Sequence, residues 1–542
     1  VVRSLWFRYG RPRTFGRKTS NPFFIEGTSL KLNFPLLDLG KPENVVNRKV
    51  GVLVGFGISG WYPGHQHMGL RAVYDALCTR TFQPRPLQCP GLRPLLDLWY
   101  NQFGPQIPDR SIDSMTHREW VDQHRQKQLY EEVLTFIDAN GYDPVRDREA
   151  LCSVFAKSEW MLGVDRAPGG TRRKRRYKVR GIYNLSEGPH FIVGRHYKSF
   201  TPVVAKHFNP ESHIFYAGKA GPHELQRWLD RASERVETGE YWCLLGDESR
   251  FETTKTKDIN EARYDWMCRK WAEADPLRDQ VERAWRKLRF SVRDPRTNKR
   301  VYGSLPPEML PSGEDGTSCK NGLDNAMASD LSINLALNDL TVWQATHMDP
   351  GQLTELLRRT SEHWFGTICG DDAAHVLPRT YLGRAVGRAF VDLVVINMEQ
   401  LGFIYKPIIC QTVSEIVYLA LRPYRVGGRY VWGPHLGRRA YKHHWARALR
   451  SDPWEWLAQV SSMEEKCYGH VPLLADMARR VQQLLRPIIG GEKPLKRGED
   501  VAARCNALLH RGMSYDAETK EYMAALYGVT AEDIDEAIEE IE

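Results

Sequence analysis

The chain has 542 residues, a formal net charge of +9, 42% hydrophobic and 26% charged residues. These values fit a globular protein large enough for several subdomains and exclude a disordered or collagen-like chain. The basic excess suits a polyanionic partner, and the absence of any apolar run of membrane-spanning length argues against a membrane segment.

Residues 1–22 are basic and rich in Gly and Pro and read as a flexible arm. The chain starts Val1-Val2-Arg3 rather than with Met, which reads as a fragment, a processed product or a readthrough product whose upstream part could hold a membrane-targeting region. No secretory signal is visible. Residues 41–240 alternate helical and strand-like patches, broken by Pro and Gly at Gln83 to Pro94 and at Ala167-Pro168-Gly169-Gly170. A dense basic run follows from Thr171 to Arg180; Arg172, Arg173 and Lys174 read as a loop, and Lys178 and Arg180 as a strand. Such a run is a solvated loop or a phosphate-binding segment.

Tyr241-Trp242-Cys243-Leu244-Leu245-Gly246-Asp247 is an apolar run of strand length ending in a carboxylate, and Glu252 follows five residues later. Asp258 to Phe290 is helical by pattern. Ser312-Gly313-Glu314-Asp315-Gly316-Thr317-Ser318-Cys319-Lys320-Asn321 opens as a loop and enters a helix through Leu323, Ala326, Met327 and Leu331. Thr317 and Asn321 then share a helix face, an arrangement suited to a sugar hydroxyl, whereas the plainer reading is an ordinary helix start. The spacing of Ser312, Gly313, Thr317 and Asn321 arises by chance on the order of 0.01 times per chain. Trp364 to Cys369, Gly370-Asp371-Asp372 and Ala373 to Leu377 read as strand, tight turn, strand. Adjacent carboxylates repel unless a hard cation such as Mg²⁺ neutralises them. A Gly-Asp-Asp triplet alone is weak, since chance supplies one in roughly ten chains of this size.

Ala389 to Met398 is an apolar run of core size, as is Gly51 to Trp61. Arg425, Arg429, Arg438, Arg439 and Lys442 interleave with Tyr424, Tyr430, Trp432 and Tyr441, a mixture that binds phosphates and stacks on bases or is simply solvated. Residues 426–542 are mostly helical, with a break at Pro487 to Pro494, and the acidic tail Glu532 to Glu542 reads as a solvated helix face. Ten cysteines without any Cys-x-x-Cys argue against a zinc site and fit a reducing cytosol; Cys243 and Cys369 read as core residues, and His443-His444 shows no paired ligands.

Asp247, then Ser312 to Asn321, then Asp371-Asp372 resemble, in that order, motifs A, B and C of viral RNA-dependent RNA polymerases, closest to the positive-strand tombusvirus-like and nodavirus-like lineages. Asp247-Glu248-Ser249-Arg250-Phe251-Glu252 is similar to a motif A of the form Asp-x-Ser-Arg-Phe-Asp, with Glu252 where that family has Asp. Lys157-Ser158-Glu159, Lys178 to Ile182 and Phe191 to Lys198, which includes Arg195, resemble motif F. Trp120 to Tyr130 also looks like a segment of those viruses. Leu401 to Lys406 resembles motif D, Tyr418 to Trp432 the motif E hairpin, and Tyr522 to Thr530 a thumb helix.

The resemblance implies an α+β, right-hand polymerase fold: fingers over 23–240 with motif F at 157–198, palm over 241–270 and 305–425 with a connection at 271–304, and thumb over 426–542. It implies Mg²⁺ at Asp247, Asp371 and Asp372, with Mn²⁺ as a substitute. Lys178 and Arg180 would face the triphosphate; Glu252, Ser312, Gly313, Thr317 and Asn321 would read the ribose. Lys406 would act as general acid, its plainer reading being a surface lysine. Arg172, Arg173, Lys174, Arg195, Arg438 and Arg439 would contact RNA. Expected partners are template and product RNA, ribonucleoside triphosphates, and viral or host replication proteins, in host cytoplasm. The rival readings are a catalytically inactive polymerase-fold RNA-binding protein and a reverse transcriptase; the Gly before Asp371 argues against the latter.

Overall fold

The computed structural model describes residues 73, 76–123, 127–140, 151–156, 180–185, 187–293, 300–313, 315–436, 453–489 and 513–541, with short strands at 20–24, 31–35, 52–53, 64–65, 160–161 and 445–446. It is a mixed α+β structure. Among the described residues no helix is long and apolar enough to cross a membrane. Ser20–Phe24 pairs with Lys31–Pro35, so the last residues of the expected arm form a strand instead.

The labelled elements start with α1 (Arg93–Gln102). Next come β1 (Leu151–Ala156), β2 (Gly181–Asn184), α2 (Glu187–His207), β3 (Ile214–Tyr216) and α3 (Pro222–Glu237). Then follow β4 (Tyr241–Glu248), α4 (Lys257–Lys270), α5 (Pro276–Trp285), β5 (Arg289–Arg293) and β6 (Arg300–Ser304). After these come α6 (Thr317–Leu337), α7 (Pro350–Ser361), β7 (Phe365–Cys369), β8 (Asp372–Pro378), α8 (Arg388–Leu401) and β9 (Tyr405–Cys410). The hairpin β10 (Leu421–Val426) and β11 (Arg429–Pro434) leads to α9 (Pro453–Tyr468), α10 (Leu474–Ile489), α11 (Ala517–Tyr527) and α12 (Ala531–Ile541).

The central sheet has the order β9-β4-β8-β7-β3, antiparallel except for the β7–β3 pair. Its inner strands β4, β8 and β7 are apolar on both faces because both are covered, whereas the edge strand β9 exposes Lys406 and Ile408. Trp242 and Leu244 join the large core with Leu323, Leu331, Val391 and Val394 of α6 and α8. Cys243 and Leu245 pack with Trp228, Leu229 and Ala232 of α3. The sheet recruits β3, so it begins earlier in the chain than the expected boundary at residue 241. A second sheet, β6-β5-β1-β2, joins residues 289–304 to the segment that precedes α2.

The stretch Asp258 to Phe290, helical by pattern, is two helices and the start of a strand. Trp271 closes α4; Asp275 caps α5 by accepting from the Leu277 and Arg278 amides, and Pro276 follows it. Proline lacks the N–H an unbroken helix needs and is at home in a first turn. Phe191 to Lys198 lies inside α2. Gly427 and Gly428, with φ of 55° and 76°, make the two-residue loop of the β10–β11 hairpin, where positive φ at both positions matches strand twist.

Candidate active site

Successive side chains of a strand point to opposite faces. In β4, Cys243, Leu245 and Asp247 therefore share the α3 face, and Trp242, Leu244 and Glu248 share the core face. Asp247 lies beyond the apolar run and is exposed, while Glu248 is 1% exposed. Asp372 of β8 is the register partner of Asp247 on one side, and Lys406 of β9 on the other. Directly opposed residues project to one face with Cβ atoms about 5 Å apart. A row Asp372, Asp247, Lys406 thus crosses three strands where the apolar cover ends.

Asp371 sits at the tip of the β7–β8 hairpin beside Gly370, whose φ of 65° falls in the region that favours glycine. The Asp371 carbonyl accepts the Glu248 N–H at 3.1 Å, which ties the tip to the end of β4. Burial lifts the Asp371 carboxyl above its ordinary range; Glu252 and Asp247 push the same way, and Arg180 pulls against them. Those three groups therefore lie near enough to act on it. The carboxylate oxygens are the donors a hard cation such as Mg²⁺ or Mn²⁺ takes. Among the described residues no three His, Cys, Asp or Glu side chains are already gathered at ligand spacing, so the carboxylates are adjacent but not closed around a point. Cys369, the register partner of Asp372, has its thiol pushed up to about 11 by burial, aided by Asp372 and Asp371, and stays protonated at neutral pH.

Helix α6 supplies the other wall. It starts after Gly316, whose φ is 74° and whose Cα faces the Tyr197 ring. Ser312 is exposed in the loop before it. A Cβ on Gly313 would lie 1.9 Å from the Tyr183 carbonyl oxygen, so this loop packs flush against β2, the strand that Arg180 precedes. Thr317 donates to the Pro311 carbonyl at 3.0 Å. One turn on, the buried Oδ1 of Asn321 has no hydrogen-bond partner among the described residues. A further turn on, Asn325 donates to the Gly370 carbonyl at 2.9 Å and accepts from Ser329 at 2.9 Å. Residues four apart share a helix face, so Thr317, Asn321 and Asn325 form a column leading to the hairpin tip.

Most of α6 is buried, and several of its polar residues are engaged in specific pairs. Asp324 meets Lys255 at 2.9 Å, Arg263, and the Tyr100 hydroxyl at 3.1 Å. Asp330 accepts from Trp99 Nε1 at 2.7 Å and faces His213 at 2.9 Å. Burial opposes charge on Asp324, but Arg263 and Lys255 outweigh it and hold its pKa below the usual value. Burial draws Lys255 down to about 8 against Asp324 and Glu248. Burial pushes Glu248 well up, with Lys255 opposing, and neither of its oxygens has a hydrogen-bond partner among the described residues.

Several expected residues meet here: Asp247, Glu252, Asp371, Asp372, Lys406, Arg180 and the column from Thr317. Arg195 does not. It lies on α2, bound to Asp275 at 2.6 Å and to the Met115 carbonyl at 3.1 Å, so its guanidinium is engaged within the protein, away from the carboxylates of the candidate site. Arg425 and Arg429 of the basic–aromatic group are likewise engaged, by Glu518 at 2.9 Å and Asp230 at 3.4 Å. Arg172, Arg173, Lys174, Lys178, Arg438, Arg439 and the Lys157-Ser158-Glu159 segment lie outside the described residues, as do Gly51 to Trp61, except for a two-residue strand, and His443-His444. Sequence reasoning missed Asn325, which extending the four-residue spacing past Asn321 reaches, and Glu248, Lys255 and Arg80, which carry no local signature. No protein-family model matches the chain, and no curated protein matches it significantly.

Proposed function

We propose that the chain is an RNA-dependent RNA polymerase that adds ribonucleotides to a growing strand on an RNA template, serving viral genome replication. The observation that carries this reading is the register of β4 and β8, which sets Asp247 opposite Asp372 beside a Gly-Asp-Asp tip that Asn325 of α6 holds. In this reading the central sheet with α6 and α8 is the palm of a right-hand architecture, the β6-β5-β1-β2 sheet and α2 belong to the fingers, and α9 to α12 form the thumb.

Asp247, Asp371 and Asp372 would hold two Mg²⁺ ions, which would lower the pKa of the strand's 3′-hydroxyl and offset charge on the triphosphate. Arg180, exposed and close enough to act on Asp371, neutralises phosphate charge that grows in the transition state. Asn321, with its unpartnered Oδ1, accepts a hydrogen bond from a ribose hydroxyl, the group that separates RNA from DNA substrates. Thr317 and Ser312 shape that pocket, and Glu252 adds a second acceptor. Lys406, opposite Asp247, supplies a proton to the leaving pyrophosphate. RNA runs along basic segments that include 171–180, in host cytoplasm, alongside viral or host replication proteins.

Nucleotide incorporation on a short RNA template, with ribo- and deoxyribonucleotides compared, tests the reading. RNA-templated ribonucleotide addition that needs a divalent cation and Asp371 supports it. A chain that binds RNA and adds nothing is a non-catalytic RNA-binding protein, and a preference for deoxyribonucleotides makes it a reverse transcriptase.

A further inference from the structure

We infer that Arg80 is a positioning residue that sets sugar selectivity by holding the Glu252 carboxylate in place, an inference that rests on the polymerase reading. Arg80 Nη2 lies 3.3 Å from Glu252 Oε1, across 172 positions of sequence. The two side chains are 20% and 22% exposed, so water screens their attraction little. The surrounding chain is tied to the same place. Arg250 donates to the Pro84 carbonyl at 3.0 Å, and Arg85 donates to the Pro307 carbonyl at 2.8 Å. Thr81 and the Tyr183 hydroxyl share a hydrogen bond, on the strand against which Gly313 packs. The Glu252 carbonyl accepts the Leu310 N–H at 2.9 Å, two residues before Ser312. Residues 80–85 therefore form a wall that joins the segment after β4 to the loop before α6.

Within that wall the length of Glu252 matters. An aspartate there would draw the carboxylate back by about 1.5 Å, one carbon–carbon bond. The 3.3 Å contact with Arg80 would then be lost. Glutamate reaches Arg80 with Oε1, and Oε2 has no hydrogen-bond partner among the described residues. One oxygen is thus fixed and the other is left to accept from a ribose hydroxyl. A charged acceptor held by a guanidinium rewards a substrate that brings a donor and penalises one that does not.

The test is Mg²⁺-supported primer extension with R80Q, R80K, E252D and the R80Q/E252D double variant, reading kcat and KM for a ribonucleotide and its deoxy counterpart. R80Q should lower the ribo-to-deoxy ratio of kcat/KM roughly 10-fold, mostly through the ribonucleotide KM. R80K should fall between R80Q and wild type, since an ammonium lacks the planar fork. E252D should lose about as much as R80Q, and the double variant no more than either, because the pair acts as a unit. An unchanged ratio in R80Q and R80K overturns the inference. So does an equal loss for both sugars, which would make Arg80 a phosphate ligand. If R80Q fails to fold by its melting profile, R80K and E252D decide on the same criterion. A wild-type chain that incorporates nothing overturns the polymerase reading and this inference together; an active one with unchanged ratios overturns this inference alone.

Discussion

Replacing Asn325 with alanine cuts a side-chain link between α6 and the Gly-Asp-Asp tip. Asn325 is fully buried, donates to the Gly370 carbonyl at 2.9 Å and accepts from Ser329 at 2.9 Å. Ser329 can turn to a carbonyl of its own helix, so the main loss is the stranded Gly370 carbonyl. Gly370 is only partly buried, so leaving its carbonyl unsatisfied falls at the low end of about 1–3 kcal/mol, and the vacated amide adds a small cavity. We expect about 2 kcal/mol in all, a melting shift of only a few degrees in a chain of this size. The effect on chemistry should be larger. The tip carries Asp371, and a misplacement of about 1 Å can cost on the order of 10²-fold in rate. N325A should therefore lower kcat for incorporation by 10- to 100-fold with template affinity unchanged. N325D should be worse, because its carboxylate cannot donate to Gly370 and sits beside Asp324. Incorporation kinetics and thermal melting on the same preparations read both effects. N325A with kcat within about twofold of wild type would refute the positioning of the tip by α6.

D372N removes one of two opposed carboxylates, so without divalent cation it should melt no lower than wild type, gaining up to ~0.5 kcal/mol. It should also lose any stabilisation that added Mg²⁺ gives wild type; a Mg²⁺-induced shift that survives in both D372N and D247N would place the cation elsewhere. N321A should relax the preference for ribonucleotides, read as the ribo-to-deoxy ratio of kcat/KM; full selectivity with activity retained would remove Asn321 from sugar reading. His375 is fully buried with both ring nitrogens unpartnered among the described residues, and burial draws its pKa down to about 3. Because the unfolded chain takes up that proton first, stability should fall as pH drops from the unfolded value near 6.5 toward 3, by up to ~1.4 kcal/mol per pH unit. H375F should flatten that acid slope in denaturant unfolding, and an identical slope would show that His375 does not titrate with unfolding.

Parts of this fold announce themselves locally. Gly370 between two apolar runs gave the β7–β8 hairpin, and the run Trp242 to Leu245 gave β4, because buried strands and glycine turns leave short-range marks. The start of α6 at Thr317 was legible for the same reason. The break between α4 and α5 was also written, in Asp275-Pro276, and the helical pattern read over Asp258 to Phe290 does not show it. Strand β3 was not legible: three residues, Ile214–Tyr216, pair in parallel with β7 far along the chain. Within the candidate site, the sequence singled out Asp247, Asp371, Asp372 and Asn321, which the fold brings to one region. It could not identify Arg80, whose partner is set by long-range packing. Nor could it show that Arg195 is committed to Asp275. The buried ionisable residues Glu248, Lys255 and Asp324 were hidden because sequence marks them as polar and only the fold puts them inside.

Extension of a primed RNA template by wild type and D371N, with and without Mg²⁺, tests the central claim most directly. The account predicts template-dependent ribonucleotide addition by wild type that disappears on chelation and falls at least about 10³-fold in D371N, with RNA binding retained. Equal incorporation by wild type and D371N, or none by a folded, RNA-binding wild type across Mg²⁺ and Mn²⁺, would contradict it.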